Sequence, residues 1–164
     1  MLQNQLTFEQ VVKRIISALE DNLQVVIQAA KDAHFAATHS ESIAETKYDT
    51  FGLESSYLAQ GQQKRVDEVN QSLAYFLQIA KTRRQCVQTI EPPCLVSLEN
   101  EKLQRHFFVA PFAGGLTVEI EQTPITVVTR ASPVGQSLLG KMLDDEVSIT
   151  FKGKVVDFEV VRIE

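Results

Sequence analysis

The 164-residue chain is short of basic charge, of cysteine and of long apolar runs. Lysine and arginine number 16 against 21 aspartates and glutamates, a formal net charge of -5. Such a balance offers no broad basic footprint, so binding to free DNA or RNA is disfavoured. The two cysteines, Cys86 and Cys94, share no CxxC spacing. That argues against a disulfide scaffold or a thiolate metal cage and for reduced structural thiols. No segment approaches the roughly 20 apolar residues of a membrane span, and "MLQNQLTFEQ" lacks a basic stretch ahead of an apolar core. The expectation is a cytoplasmic protein with no membrane partner.

Proline and glycine are missing before Gly52, whereas all five prolines and five of the seven glycines lie beyond residue 91. These residues punctuate helices, so their distribution divides the chain into a helical part, 1–91, and a turn-rich part, 92–164, meeting at "EPPC". With 44% hydrophobic and 23% charged residues, a core can form in either part without covalent staples.

Thr7 followed by Gln10 is a capping-box arrangement, with Leu6 and Val11 placed as a hydrophobic staple, and it predicts a helix starting near Phe8. Phe8, Val12, Ile15, Leu19, Leu23, Val26, Ala30, Ala33 and Ala37 then recur in steps of three and four, the seam of a helix packed along its length. A second seam runs Leu58, Val66, Val69, Leu73, Phe76 and Ala80, interrupted at Gln62 and closed by Lys81, Arg83 and Arg84, charges that suit a helix C-terminus. Two antiparallel helices follow, each about 40 to 45 Å long at 1.5 Å per residue. Their turn falls near 39–54, with Gly52 as the expected breaker.

The second part reads as strands over 95–98, 107–109, 116–120 and 125–129, the first two flanking "ENEK". In "SPVGQSLLGK" Ser132 suits an N-cap, Pro133 the first helical position and Gly140 a left-handed C-cap, so a short helix should cover the sheet. Val147, Ile149 and Phe151, then Lys152-Gly153, then Val156, Phe158 and Val160 spell a closing hairpin. The expected class is α+β: an antiparallel coiled-coil hairpin followed by a small antiparallel β domain with one covering helix.

No P-loop or GxGxxG occurs, and Ser132 lies in no GxSxG elbow. His34 and His39 are five residues apart, off the spacing that places two ligands on one helix face, and His106 lies in the second part. The turn of the hairpin is more suggestive. In "ESIAETKYDTFGLE", Glu41, Glu45, Asp49 and Glu54 stand against Lys47 alone. By spacing these acids are either a solvated face or oxygen donors for a hard cation that keeps waters or partner ligands, as Mg²⁺ does.

The long hairpin, "SPVGQSLLGKMLDDEVSITF" and the closing "KVVDFEVVRIE" together resemble the bacterial Gre transcription elongation factors. The resemblance covers nearly the whole chain and implies that the second domain is FKBP-like. It also implies that this domain docks at the rim of the RNA polymerase secondary channel, here through Ser132, Pro133, Leu138, Leu139, Gly140, Lys141, Asp144, Asp145 and Glu146. The tip carboxylates would then help to hold a second Mg²⁺ at the polymerase active site, shared with the polymerase and not stably bound alone, where it activates water to cleave backtracked RNA. The factor has no active site of its own and meets the nascent RNA only within that complex, acting as a monomer. A pocket for prolyl isomerisation is disfavoured, since such pockets use tryptophan and this chain has none. The tip departs from the family pattern. A gapless match through Glu45 puts Ser42 at the first acidic position, one inserted residue brings Glu41 there, and Thr46 replaces an asparagine. A second alignment, through "LESSYLAQGQQ", nominates Asp49 and Glu54. The resemblance therefore implies cleavage stimulation or, alternatively, modulation of the polymerase without cleavage.

Overall fold

The computed structural model describes residues 6–38, 51–82 and 87–164, with 51–56 as backbone alone. Helix α1 spans Phe8–Thr38 and opens on the expected box. The Thr7 amide donates to Gln10 Oε1 at 3.0 Å and the Gln10 amide to Thr7 Oγ1 at 3.3 Å, so two otherwise orphan donors are satisfied reciprocally. Behind the cap, Phe8, Val11, Val12, Ile15, Leu19, Val26 and Ala33 are buried, which follows the predicted seam.

Helix α2 spans Phe51–Ala80. Gly52 therefore lies inside its first turn and does not break it, because the side-chain-free residue is compatible with helical dihedrals and costs only about 1 kcal/mol. The seam is also shifted by one residue at both ends: Leu58 and Ala80 are exposed, while Ala59, Gln62, Val66, Val69, Leu73, Phe76 and Ile79 are half-buried or buried. Gln62 continues the seam as a half-buried residue. Lys81 follows the end of α2, and Arg83 and Arg84 lie outside the described residues.

The remaining elements are β1 (Cys94–Glu99), β2 (Gln104–Val109), β3 (Thr117–Ile120), β4 (Thr123–Val128), α3 (Pro133–Leu138), β5 (Glu146–Phe151) and β6 (Lys154–Ile163). The strands form one sheet in the order β3-β4-β2-β1-β6-β5. Neighbours are antiparallel except β2 and β4, where His106 pairs with Ile125 and Val109 with Val128 in parallel. The expectation of a wholly antiparallel sheet is thus corrected at this pair. The β3–β4 hairpin joins the sheet by its second strand, which runs in the direction of β2.

Turn chemistry fixes the hairpins. Between β1 and β2, Asn100 Oδ1 accepts from the amides of Lys102 and Leu103 at 3.0 and 2.9 Å. Glu121 and Gln122, with φ of 48° and 67°, make the β3–β4 turn, and Lys152 and Gly153, with φ of 49° and 78°, make the β5–β6 turn. Two successive positive φ values match the right-handed twist of the flanking strands.

Residues 94–98 of β1 are all buried, the mark of a central strand covered on both faces. On one face Cys94, Val96, Leu98, Val147, Phe158 and Val160 enclose a core that Ile90 and Leu138 of α3 complete. On the other face Phe108 meets Phe8 at 5.1 Å and Phe76 at 5.7 Å between ring centroids. Contacts accordingly group Met1–Ile16 with Tyr75–Glu164 as one compact unit and Ser17–Ala74 as another. The first turns of α1 and the last of α2 therefore serve the core of the sheet.

Candidate functional site

Glu41, Glu45 and Asp49 lie outside the described residues, and Glu54 stands in the first turn of α2, where the backbone alone is described. The geometry available is that of 132–146 and the sheet beside it.

Ser132 is the N-cap of α3 and is fastened twice. Its hydroxyl accepts from the Gly135 amide at 3.0 Å and donates to the Thr129 carbonyl at 2.8 Å. Pro133 takes the first helical position, exposed. The helix is capped at Leu139, one residue before the expected Gly140, which takes φ of 80° in the turn that the Lys141 amide closes on the Leu138 carbonyl, and the Gly140 amide donates to the Ile90 carbonyl at 3.0 Å. Lys141 returns the bond, its carbonyl accepting from the Ile90 amide at 2.8 Å, while its Nζ donates to the Glu146 carbonyl at 3.1 Å. Asp145 Oδ2 accepts from the Met142 amide at 2.7 Å, and the Asp144 amide and Asp145 carbonyl bond to the two backbone groups of Val160. The loop from Gly140 to Glu146 is thus tied to Ile90 on one side and to β6 on the other.

These bonds sort the nine residues of the predicted docking segment. Pro133, Gly140, Asp144 and Glu146 are exposed, Ser132, Leu139, Lys141 and Asp145 are half-buried, and Leu138 is fully enclosed in the core. Met142 and Leu143, at 53% and 52% exposure, are the large apolar side chains that this tied loop offers to solvent. The sequence names neither, because an apolar pair in a polar loop carries no periodicity.

Beside α3 lies a cavity of about 180 Å³, lined among others by Phe107, Pro124, Val134, Ile149, Phe151 and Val156. Arg105 is at its rim with its guanidinium 4.8 Å from the Phe151 ring centroid, and Lys152 Nζ stands 5.5 Å from the same ring. On the other face of β2, His106 Nδ1 lies 2.9 Å from Ser97 Oγ, and burial, followed by the Arg162 charge, holds this imidazole below its usual range. No helix among the described residues is long and apolar enough to cross a membrane, and no group of three or more histidine, cysteine or acidic side chains among them is placed to hold a metal.

No family model matches the chain. Over 40 residues it is 38% identical to the transcription elongation factor GreA of Psychromonas ingrahamii. The likeness is to the Gre family. The match takes in 24% of this chain and 25% of that GreA, so it spans about a quarter of the curated relative. Among solved structures, Gfh1 of Thermus thermophilus, a GreA factor homologue, is 16% identical over 91% of this chain and 94% of its own, with a TM-score of 0.38. A second Gfh1 structure, described as a transcription factor, is 17% identical over 92% and 94%, with a TM-score of 0.41. The Gfh1 of Thermus aquaticus is 19% identical over 90% and 92%, with a TM-score of 0.38. The Gre resemblance read from the residues is met again in the 40 residues matched to GreA.

Proposed function

We propose that this protein is an RNA polymerase-binding transcription factor of the Gre type, which docks by its sheet unit and stimulates cleavage of backtracked transcripts with the acidic segment between α1 and α2. The observation that carries this reading is the 38% identity to GreA over 40 residues. The Gre-like string supports it by building a tied loop at 140–146. Two helices of 31 and 30 residues, each about 45 Å long, lie on either side of Glu41, Glu45 and Asp49 in the chain, and the second carries Glu54 in its first turn.

The donor set of residues 41–54 fits a hard cation, since Glu41, Glu45, Asp49 and Glu54 all offer carboxylate oxygens. A Mg²⁺ shared with the polymerase would supply an activated water and charge neutralisation. The chain's own part is to carry carboxylates to that place and to hold them there through docking. A second reading, modulation without cleavage, is favoured by Ser42 at the first acidic position of the gapless match.

A transcript-cleavage assay on backtracked complexes separates the two. Wild type is compared with Glu41→Ala, Glu45→Ala, Asp49→Ala and Glu54→Ala, with polymerase binding measured alongside. Loss of cleavage with binding retained in at least one variant supports the first reading. Binding with no cleavage by wild type supports the second, and no association with polymerase at low salt overturns both.

A further inference from the structure

Strand β6 changes face part-way along. Leu98 of β1 pairs with Val160 but Ser97 pairs with Arg162, so Val161 is the extra residue of a β-bulge. Phe158 and Val160 point into the core completed by α3, and strict alternation would send Arg162 the same way. The bulge re-aims it to the opposite face, beside Ser97. There Arg162 Nη1 donates to the Leu6 carbonyl and Nη2 to Glu164 Oε2. The other carboxylate oxygen of Glu164 accepts from the Phe8 amide at 3.0 Å. The start of α1 is therefore held to the sheet by hydrogen bonds from or to charged groups, stronger than neutral ones.

His106 stands on the far side of Ser97, paired with it across β1 and β2. His106, Ser97 and Arg162 make one row over three adjacent strands, imidazole and guanidinium separated by a serine and two strand spacings of about 4.8 Å. We propose that this row is an acid-sensitive latch: a proton on His106 puts a second cation across Ser97 from Arg162 on a half-buried face and loosens the hold of Arg162 and Glu164 on the first turn of α1.

The surroundings favour this reading. From β4 the residue opposite His106 is Ile125, and the side chains that α1 and α2 bring to Phe108 on the same face are Phe8 and Phe76. Glu99, the next acid along β1, is exposed, and Glu164 is already engaged by Arg162 and the Phe8 amide. Arg162 is the charge that acts on His106, in the same sense as burial: both disfavour the imidazolium. Since the folded chain takes up this proton less readily than the unfolded one, the latch is at full strength above about pH 6.5. Its strength falls as pH drops from there towards the lowered folded value.

The test is an NMR titration of the full chain between about pH 8 and pH 5, the window in which imidazole changes charge. The His106 ring, the Phe8 amide and the Arg162 guanidinium are followed in wild type and in His106→Gln. In wild type all three should move with one midpoint and Phe8 should lose amide protection, while in His106→Gln the Phe8 and Arg162 movements should vanish from this window. A Phe8 amide that stays fixed through the His106 midpoint, or that moves identically in His106→Gln, overturns the latch. Should His106→Gln fail to fold, the coincidence of midpoints in wild type decides alone.

Discussion

A Cβ built on Gly135 would stand 1.9 Å from the carbonyl oxygen of Thr129. That carbonyl already accepts from the Ser132 amide at 3.0 Å and the Ser132 hydroxyl at 2.8 Å, so it cannot give way without breaking the cap of α3. Gly135→Ala should destabilise the protein by about 3 kcal/mol, as overpacking against backbone does. Ser132→Ala, which removes the cap alone, should cost about 1 kcal/mol. Urea denaturation of the two variants checks the order.

Gln122 holds φ of 67° in the β3–β4 turn, a conformation glycine enters freely. Gln122→Gly should stabilise by about 0.5 kcal/mol, the relief of side-chain strain slightly exceeding the added freedom of the unfolded chain. A fall in the thermal midpoint would contradict the turn assignment.

Glu159 lies across from Glu99 on one side and from Glu146 on the other, and all three are exposed. Like charges directly opposite on a sheet repel, so Glu159→Gln should raise stability by about 0.5 kcal/mol at low ionic strength. The gain should fade as salt approaches 1 M, where the screening length is about 3 Å. A gain indifferent to salt would point to some other cause.

Leu138 and Glu146 belong to the same proposed docking segment but should fail differently. Leu138 is fully buried, and Leu138→Ala should cost about 2 to 5 kcal/mol in denaturant unfolding. Glu146 is exposed at the start of β5, and the bond it receives from Lys141 ends on its backbone carbonyl. Glu146→Ala should leave stability within about 0.5 kcal/mol and weaken polymerase association in a pull-down or by surface binding. Equal association by the two soluble proteins would remove Glu146 from the interface.

Much of the local structure is legible in the sequence because it is decided locally. Thr7 with Gln10, Ser132 with Pro133, Gly140, and Lys152-Gly153 each perform the backbone task that their residue types suggest. What escapes is set by partners distant in the chain. Nothing near Val161 announces that Arg162 must change face to meet Leu6, and the parallel pairing of β2 with β4 follows from which strand of a hairpin arrives first. Phe8 and Phe76 read as hairpin seam because periodicity reports that a face is buried without saying against what. In the candidate site, Leu138 was legible as apolar but its burial excludes it from a surface, while Met142 and Leu143 had no pattern to reveal them.

The contacts of Phe8 and Phe76 with Phe108 bear on how this protein can be divided. A cut at "EPPC" looks like the natural joint in the chain, yet the sheet's second face is closed by residues upstream of it. A fragment beginning at Pro92 would display Phe108 and Leu95 to water. A replacement for the helical part would have to keep Phe8 and Phe76, so the first turns of α1 and the last of α2 travel with the sheet as one exchangeable part.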